Sequence, residues 1–136
     1  MMVHLFYIDA SVAIHVMDRT DSRVVAWFNQ RMNQRDVVAS SALLRLEVTR
    51  YLLRLGRSFS DAEDLFSALA FSPVDNTLIR EAEAITPYIK TLDTLHLATA
   101  LRLGDALTSL ISDDAKMTRA AQTLGMATYN PLDQAK

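Results

Sequence analysis

Apolar runs too short to be helices recur along this chain, and each gives way at once to a stretch with helical spacing. Val3-His4-Leu5-Phe6-Tyr7-Ile8 stops at Asp9-Ala10-Ser11, where a helix begins, and Asp36-Val37-Val38-Ala39 stops at Ser40-Ser41. Ala106–Ile111 stops at Ser112-Asp113-Asp114, and Met126–Tyr129 is the last such run. Short apolar runs without polar alternation suit strands buried on both faces. Between them, periodicity predicts helices over 21–34, from Ser40-Ser41 to Gly56, from Ser60 to about Ala70, over 76–90 with a bend at Pro87, over Thr91–Leu103, and over Asp113–Leu124. Ser60-Asp61-Ala62-Glu63 has the capping-box pattern, and Ser72-Pro73-Val74 reads as a brief extended piece. Strands alternating with helices in this way build an α/β domain with a mainly parallel sheet, helices covering both faces. With 136 residues and no repeat, low-complexity tract or linker, residues 1–136 are expected to form a single domain.

Several function classes fall away on composition. No stretch of about 18 residues lacks charge and no basic-then-apolar leader precedes the first strand, so the expectation is a cytoplasmic chain that neither spans nor binds a membrane. The absence of cysteine removes disulfide frameworks, thiolate zinc sites and cysteine nucleophiles. Three glycines leave no phosphate-cradling loop, and neither a G-x-S-x-G elbow nor a dinucleotide fingerprint is present.

Four carboxylates stand where such a domain would normally place an apolar group or end a core element. Ionised carboxylates are rarely buried without a partner, because desolvating the charge is expensive. Asp9 directly follows the first apolar run; its only plain structural use is to cap the next helix, a task Ser11 could also perform. Glu47 lies about 60° from the centre of a helical stripe formed by Leu44, Val48, Tyr51 and Leu55. Its ordinary alternative is a surface ion pair with Arg50 or Arg54. Asp93 opens a helix with leucine or alanine on nearly every face, where a first-turn acid also answers the helix dipole. Asp114 is in phase with Met117, Ala121 and Leu124, which turns it toward the buried side and leaves Asp113 as the solvated acid or cap.

In parallel sheets, ligands bind beyond the carboxyl ends of the strands, where Asp9 and the Asp113-Asp114 pair are expected. Acids gathered at that edge suggest a shared cation, and an all-oxygen site suits Mg²⁺ or Mn²⁺. Phosphodiester hydrolysis is the chemistry that uses such a site. The histidines, at 4, 15 and 96, are not spaced for zinc. His96 reads first as a satisfied core histidine, with orientation of Asp93 or of the pocket as its functional alternative.

The formal charge of −2 hides an asymmetry. Residues 19–57 hold eight arginines against three acids, a net of +5, and the rest of the chain has a net of −7. Solvated helix faces would explain this. A basic face beside an acidic metal pocket would instead suit a phosphate backbone.

The pieces Tyr7-Ile8-Asp9-Ala10-Ser11, Leu46-Glu47-Val48, Leu92-Asp93-Thr94-Leu95-His96-Leu97-Ala98-Thr99-Ala100 and Ser112-Asp113-Asp114 follow one another across nearly the whole chain. In order and spacing they resemble the PIN-domain nucleases, particularly the VapC-like toxins of bacterial toxin–antitoxin pairs. The resemblance implies a three-layer α/β/α sandwich and Mg²⁺- or Mn²⁺-dependent cleavage of RNA. It also implies self-association, as a homodimer or higher assembly, and inhibition by a small antitoxin protein. It carries Asp9, Glu47, Asp93 and Asp114 over as the acidic metal-binding quartet, with Ser11 as a polar supporter; Asp113 and His96 are further supporting candidates from the residues themselves. The double acid at 113 and 114 departs from the usual pattern and leaves the fourth acid open. Arg50, Arg54 and Arg57 are candidates for RNA or antitoxin contact. A DNA- or flap-cleaving enzyme and a non-catalytic PIN-like binding module are the alternatives.

Overall fold

The computed structural model describes residues 3–135. In chain order the elements are β1 (Leu5–Ile8), α1 (Ala10–Asp18), α2 (Ser22–Asn33), β2 (Val37–Ser41), α3 (Ala42–Arg54), α4 (Glu63–Ala68), β3 (Ala70–Ser72), α5 (Asn76–Glu83), α6 (Thr91–Arg102), β4 (Ser109–Ile111), α7 (Ala115–Thr123) and β5 (Thr128–Tyr129). Short 3₁₀ turns at Phe59–Ala62, Gly104–Ala106 and Pro131–Ala135 fill the connections. The five strands form one parallel sheet in the order β3-β2-β1-β4-β5.

Strand pleating divides the core in two. Phe6 and Ile8 point to one face, where Val12, Trp27, Leu44, Val48, Leu52 and Leu65 cover them from α1 to α4. Tyr7 points to the other face and packs with Leu97, Leu110, Met117 and Ala121 from α6, β4 and α7. Helix α5 lies outside α6, through Leu78 and Ala82 against Ala98. The result is three layers, α/β/α. Full burial of a leucine such as Leu44 or Leu52 contributes about 1.5–3 kcal/mol. That is enough for the apolar stripe of α3 to fix its rotation, and hence to decide where Glu47 points.

Several boundaries differ from the sequence expectation for local reasons. The α3 stripe closes on Leu52, fully buried, and not on Leu55, which is 48 % exposed beyond the helix end. The helix expected over 76–90 stops at Glu83, ahead of the residues that precede Pro87 and resist helical backbone. The strand expected over 106–111 begins only at Ser109, because Gly104–Ala106 first turns the chain. Strand β3 begins at Ala70, earlier than the 72–74 piece, and β5 is confined to Thr128–Tyr129. The Ser60 capping box does not form. Ser58 caps the 3₁₀ turn instead, and α4 starts behind Ala62 without a side-chain cap.

The strand order places the site. After β3 the chain crosses from one half of the sheet to the other and returns as β4, so β1 and β4 flank the point where the connections diverge. The crevice beyond the carboxyl ends of β1 and β4 is therefore open to a ligand, and Asp9 and Ser112 stand on its two banks.

Candidate active site

Asp9 ends β1 and caps α1, its Oδ1 accepting from the Val12 N–H at 3.1 Å. It is the cap, and Ser11 lies inside the first turn, so the acid has a structural use as well as a candidate catalytic one. The Ser112 hydroxyl, fully buried at the end of β4, donates to Asp9 Oδ2 at 2.5 Å. The same Ser112 oxygen accepts from the Asp114 N–H at 3.1 Å, tying the two banks together. Ser11 reaches both Asp9, at 3.0 Å, and Asp113, at 2.8 Å. A hydroxyl has a single hydrogen, so Ser11 serves one of these carboxylates at a time. Burial raises the Asp9 carboxyl above its ordinary range, against the lowering effect of Ser112, Val12 N–H, His96 and Ser11.

Asp93 sits in the first turn of α6 without capping it; the cap position is Lys90. Burial raises its carboxyl, and the negative charges of Asp114 and Glu47 raise it further, with His96 and Lys90 opposing. Asp93 thus feels the charges of Asp114, at the cap of α7, and of Glu47 on α3, although the three are far apart in sequence.

At β4 the helix cap falls to Asp114 and not to Asp113, where helical phase had placed it. Asp114 is the cap of α7, its Oδ1 accepting from Lys116 N–H at 2.8 Å and Met117 N–H at 3.3 Å. Asp113 is occupied laterally, with Ser11 and with His15 Nε2 at 3.5 Å. Capping occupies Asp114 Oδ1, and its second oxygen makes no hydrogen bond among the described residues.

Glu47 forms no ion pair with Arg50 or Arg54. Its Oε1 meets His96 Nε2 at 2.6 Å, and its side chain remains 22 % exposed. His96 is buried, as a core histidine should be, and its second nitrogen lies 2.6 Å from the Tyr7 hydroxyl. Burial raises the Tyr7 phenol far above its ordinary value, and the charges of Asp9 and Glu47 add to the shift. Sequence reasoning missed Tyr7 as part of the site, and it named Ser112 only as a spacing mark. Tyr7 looks like any strand aromatic; its distinguishing signal is a position two residues before the first acid, on the face opposite Phe6 and Ile8.

Among the described residues, no three His, Asp or Glu side chains stand close enough to hold a metal ion as they are oriented. In kind, the donors still fit a hard cation. They are carboxylates alone, and with Val12 N–H and Ser112 as standing donors Asp9 keeps acceptor capacity among its roughly four positions. The arrangement is looser than a ligand shell.

The basic segment is largely engaged within the protein. Arg23 pairs with Asp21, Arg31 with the buried Asp36, and Arg57 with Asp18 at 2.9 Å and Asp61 at 3.1 Å. Arg45 stacks on Phe66, 4.5 Å from the ring centre. Arg57 therefore has a structural occupation that the helix pattern did not reveal. Arg50 and Arg54 make no ion pair among the described residues and line, with Glu47, Tyr51 and Leu53, a groove of about 500 Å³. A separate apolar cavity of similar size lies between α5 and α6, lined by Ile79, Ala82, Ile85, Tyr88, Ile89 and Leu95, and includes none of the four acids. No helix among the described residues is long and apolar enough to cross a membrane.

Comparison with known proteins agrees with this fold. A PIN domain is matched over residues 6–122. Ribonuclease VapC46 of Mycobacterium tuberculosis is 36 % identical over 127 residues, covering 92 % of this chain and 96 % of its own. Ribonuclease VapC47 of the same species is 26 % identical over 132 residues, covering 93 % and 97 %. Among solved structures, VapBC2 from Rickettsia felis, bound to a DNA fragment from its promoter, superposes with a TM-score of 0.72 at 11 % identity, over 93 % of this chain and 98 % of that one. At that identity the likeness is one of fold.

Proposed function

This chain belongs to the PIN-domain family, and from that premise we propose that it is a metal-dependent endoribonuclease, the toxin of an antitoxin-controlled pair, with Asp9, Glu47, Asp93 and Asp114 as its catalytic acids. One observation carries the assignment of the site. The Asp93 carboxyl on α6 is raised by burial and by the charges of Asp114 and Glu47, and Asp9 is linked to the Asp114 backbone through Ser112. Such mutual repulsion is expected where a cation completes the site. The names of the two curated relatives favour RNA as the substrate.

Asp9 and Asp93 would hold Mg²⁺ or Mn²⁺ directly, and a cation there supplies charge neutralisation and polarisation of the scissile phosphoryl group. Ser112 and the Val12 N–H keep Asp9 in one orientation while it does so. Glu47, partly exposed and with Oε2 free of hydrogen bonds among the described residues, is the acid that can take a proton from attacking water. Asp114, pinned by its cap bonds, completes the cluster from the opposite bank. Arg50 and Arg54, in the groove beside Glu47, would follow the phosphate backbone. The partners are the RNA substrate, a small antitoxin protein, and a second copy of the chain in a dimer or larger assembly.

The test is cleavage of labelled RNA by purified protein, with Mg²⁺, Mn²⁺ or chelator, and single-stranded DNA of matched sequence as competitor. The expected result is cation-dependent RNA cleavage that Asp9→Asn and Asp93→Asn abolish. Cleavage in chelator, or preference for the DNA, would refute the reading.

A further inference from the structure

On the reading of the acidic site just given, we propose that Tyr7 and His96 form a buried clamp that holds the Glu47 carboxylate in register with the other acids, making both of them positioning residues for cleavage. His96 is 1 % exposed and lies between the two partners, its Nε2 2.6 Å from Glu47 Oε1 and its Nδ1 2.6 Å from the Tyr7 hydroxyl. The chain of bonds has a direction. A carboxylate oxygen only accepts, so Nε2 carries a proton toward Glu47, and with a single ring proton Nδ1 accepts from the Tyr7 O–H. The two rings meet edge to face, 5.8 Å apart at 70°, which fixes the imidazole plane. The three residues come from β1, α6 and α3, so the central strand and two helices packed on opposite faces of the sheet set one carboxylate.

Core packing alone does not account for this arrangement. Replacing a buried polar network with apolar groups of similar volume is often neutral or stabilising, whereas breaking it at one member is not. A leucine at 96 and a phenylalanine at 7 would fill the same layer beneath Leu97 and Leu110. What they would not do is hold Glu47. Without the clamp, Glu47 sits on the shoulder of α3 with the rotamer freedom of a half-exposed side chain. Hydrogen-bond partners that orient a functional carboxylate typically matter by about 10–100-fold in metal affinity or activity.

The test compares His96→Leu, His96→Gln, Tyr7→Phe and the double variant Tyr7→Phe/His96→Leu, with Glu47→Gln as benchmark. Readouts are kcat and KM on RNA and Mn²⁺ binding by calorimetry. His96→Leu should lower kcat by about 10–100-fold with KM little changed, and His96→Gln, which keeps a donor toward Glu47, should recover much of that loss. The double variant should melt near the parent and remain impaired. Parental kcat and Mn²⁺ affinity in His96→Leu, beside an inactive Glu47→Gln, would overturn the clamp and leave His96 as core filling. Parental cleavage by Glu47→Gln would refute the site reading itself. Nitrogen-15 spectra of the unmutated protein test the bond direction independently of variant folding: the Nε2–H tautomer of His96 is expected, and the Nδ1–H tautomer overturns the proposal.

Discussion

Ser112→Ala is the substitution whose outcome follows most directly from the geometry. Its hydroxyl is fully buried and donates to a buried carboxylate at 2.5 Å, and it has the largest lowering effect on the raised Asp9 carboxyl. A hydrogen bond to a charged group contributes about 1.5–3 kcal/mol. For a chain of 136 residues the entropy of unfolding is about 0.29 kcal/mol per kelvin, so the loss corresponds to a melting temperature lower by about 5–10 °C. The effect has a pH signature. Ser112 stabilises the ionised form of Asp9, so its removal raises the Asp9 carboxyl further. The parent's advantage is therefore full above the pKa of Asp9 in the folded variant, the higher of the two, and shrinks as pH falls from there to that of the folded parent. Thermal denaturation of both proteins by circular dichroism, in chelator, from pH 4 to pH 8 measures it. A Ser112→Ala protein melting within about 2 °C of the parent at neutral pH, or a difference that does not change with pH, would refute the claim that this bond holds a buried charge.

Asp93→Asn should melt higher than the parent in chelator. Its folded carboxyl is raised, so the penalty is absent below the unfolded value of about 4 and grows as pH rises through the folded pKa; a lower melting point at pH 7.5 would make Asp93 a helix-dipole acid and nothing more. Added Mg²⁺ should raise the melting point of the parent by mass action and that of Asp93→Asn much less, and equal shifts would remove Asp93 from the cation site. Arg50→Ala and Arg54→Ala should make the salt dependence of RNA binding shallower by about one unit or less each, measured by anisotropy on an Asp9→Asn background. Arg57→Ala should instead lower the melting temperature and leave that slope unchanged, because its guanidinium is held by Asp18 and Asp61; a changed slope would place it on the RNA path.

What the sequence made legible follows from how each feature is encoded. Strand and helix alternation is written in local hydrophobic period, and the sheet, the two-faced core and the placement of Asp9 and Asp114 at strand ends came with it. Glu47 needed only the rotation of α3, which Leu44 and Val48 already fix. The partners of these acids were not legible, because they are long-range. His96 meets a residue 49 positions away and Tyr7 one 89 positions away, which no local pattern records. The placing of the α7 cap at Asp114 and not at Asp113 has a different cause. A cap residue takes extended backbone, so helical phase does not apply at Asp114, which sits one step before the helix proper. The ion pairs of Arg57 were illegible for a related reason. It follows α3 on Gly56, whose backbone at φ 67 turns the chain back, and from there it reaches Asp18 of α1.

The central claim is that the acids at the carboxyl edge of the sheet hold a divalent cation. Calorimetric titration of Mn²⁺ into the protein and into Asp9→Asn tests it most directly, since the substitution keeps the side-chain shape and removes the charge. Saturable binding to the parent and a marked loss of affinity in Asp9→Asn are expected, with both proteins folded by circular dichroism. Equal Mn²⁺ affinity in the two, or no binding to the parent, would contradict it.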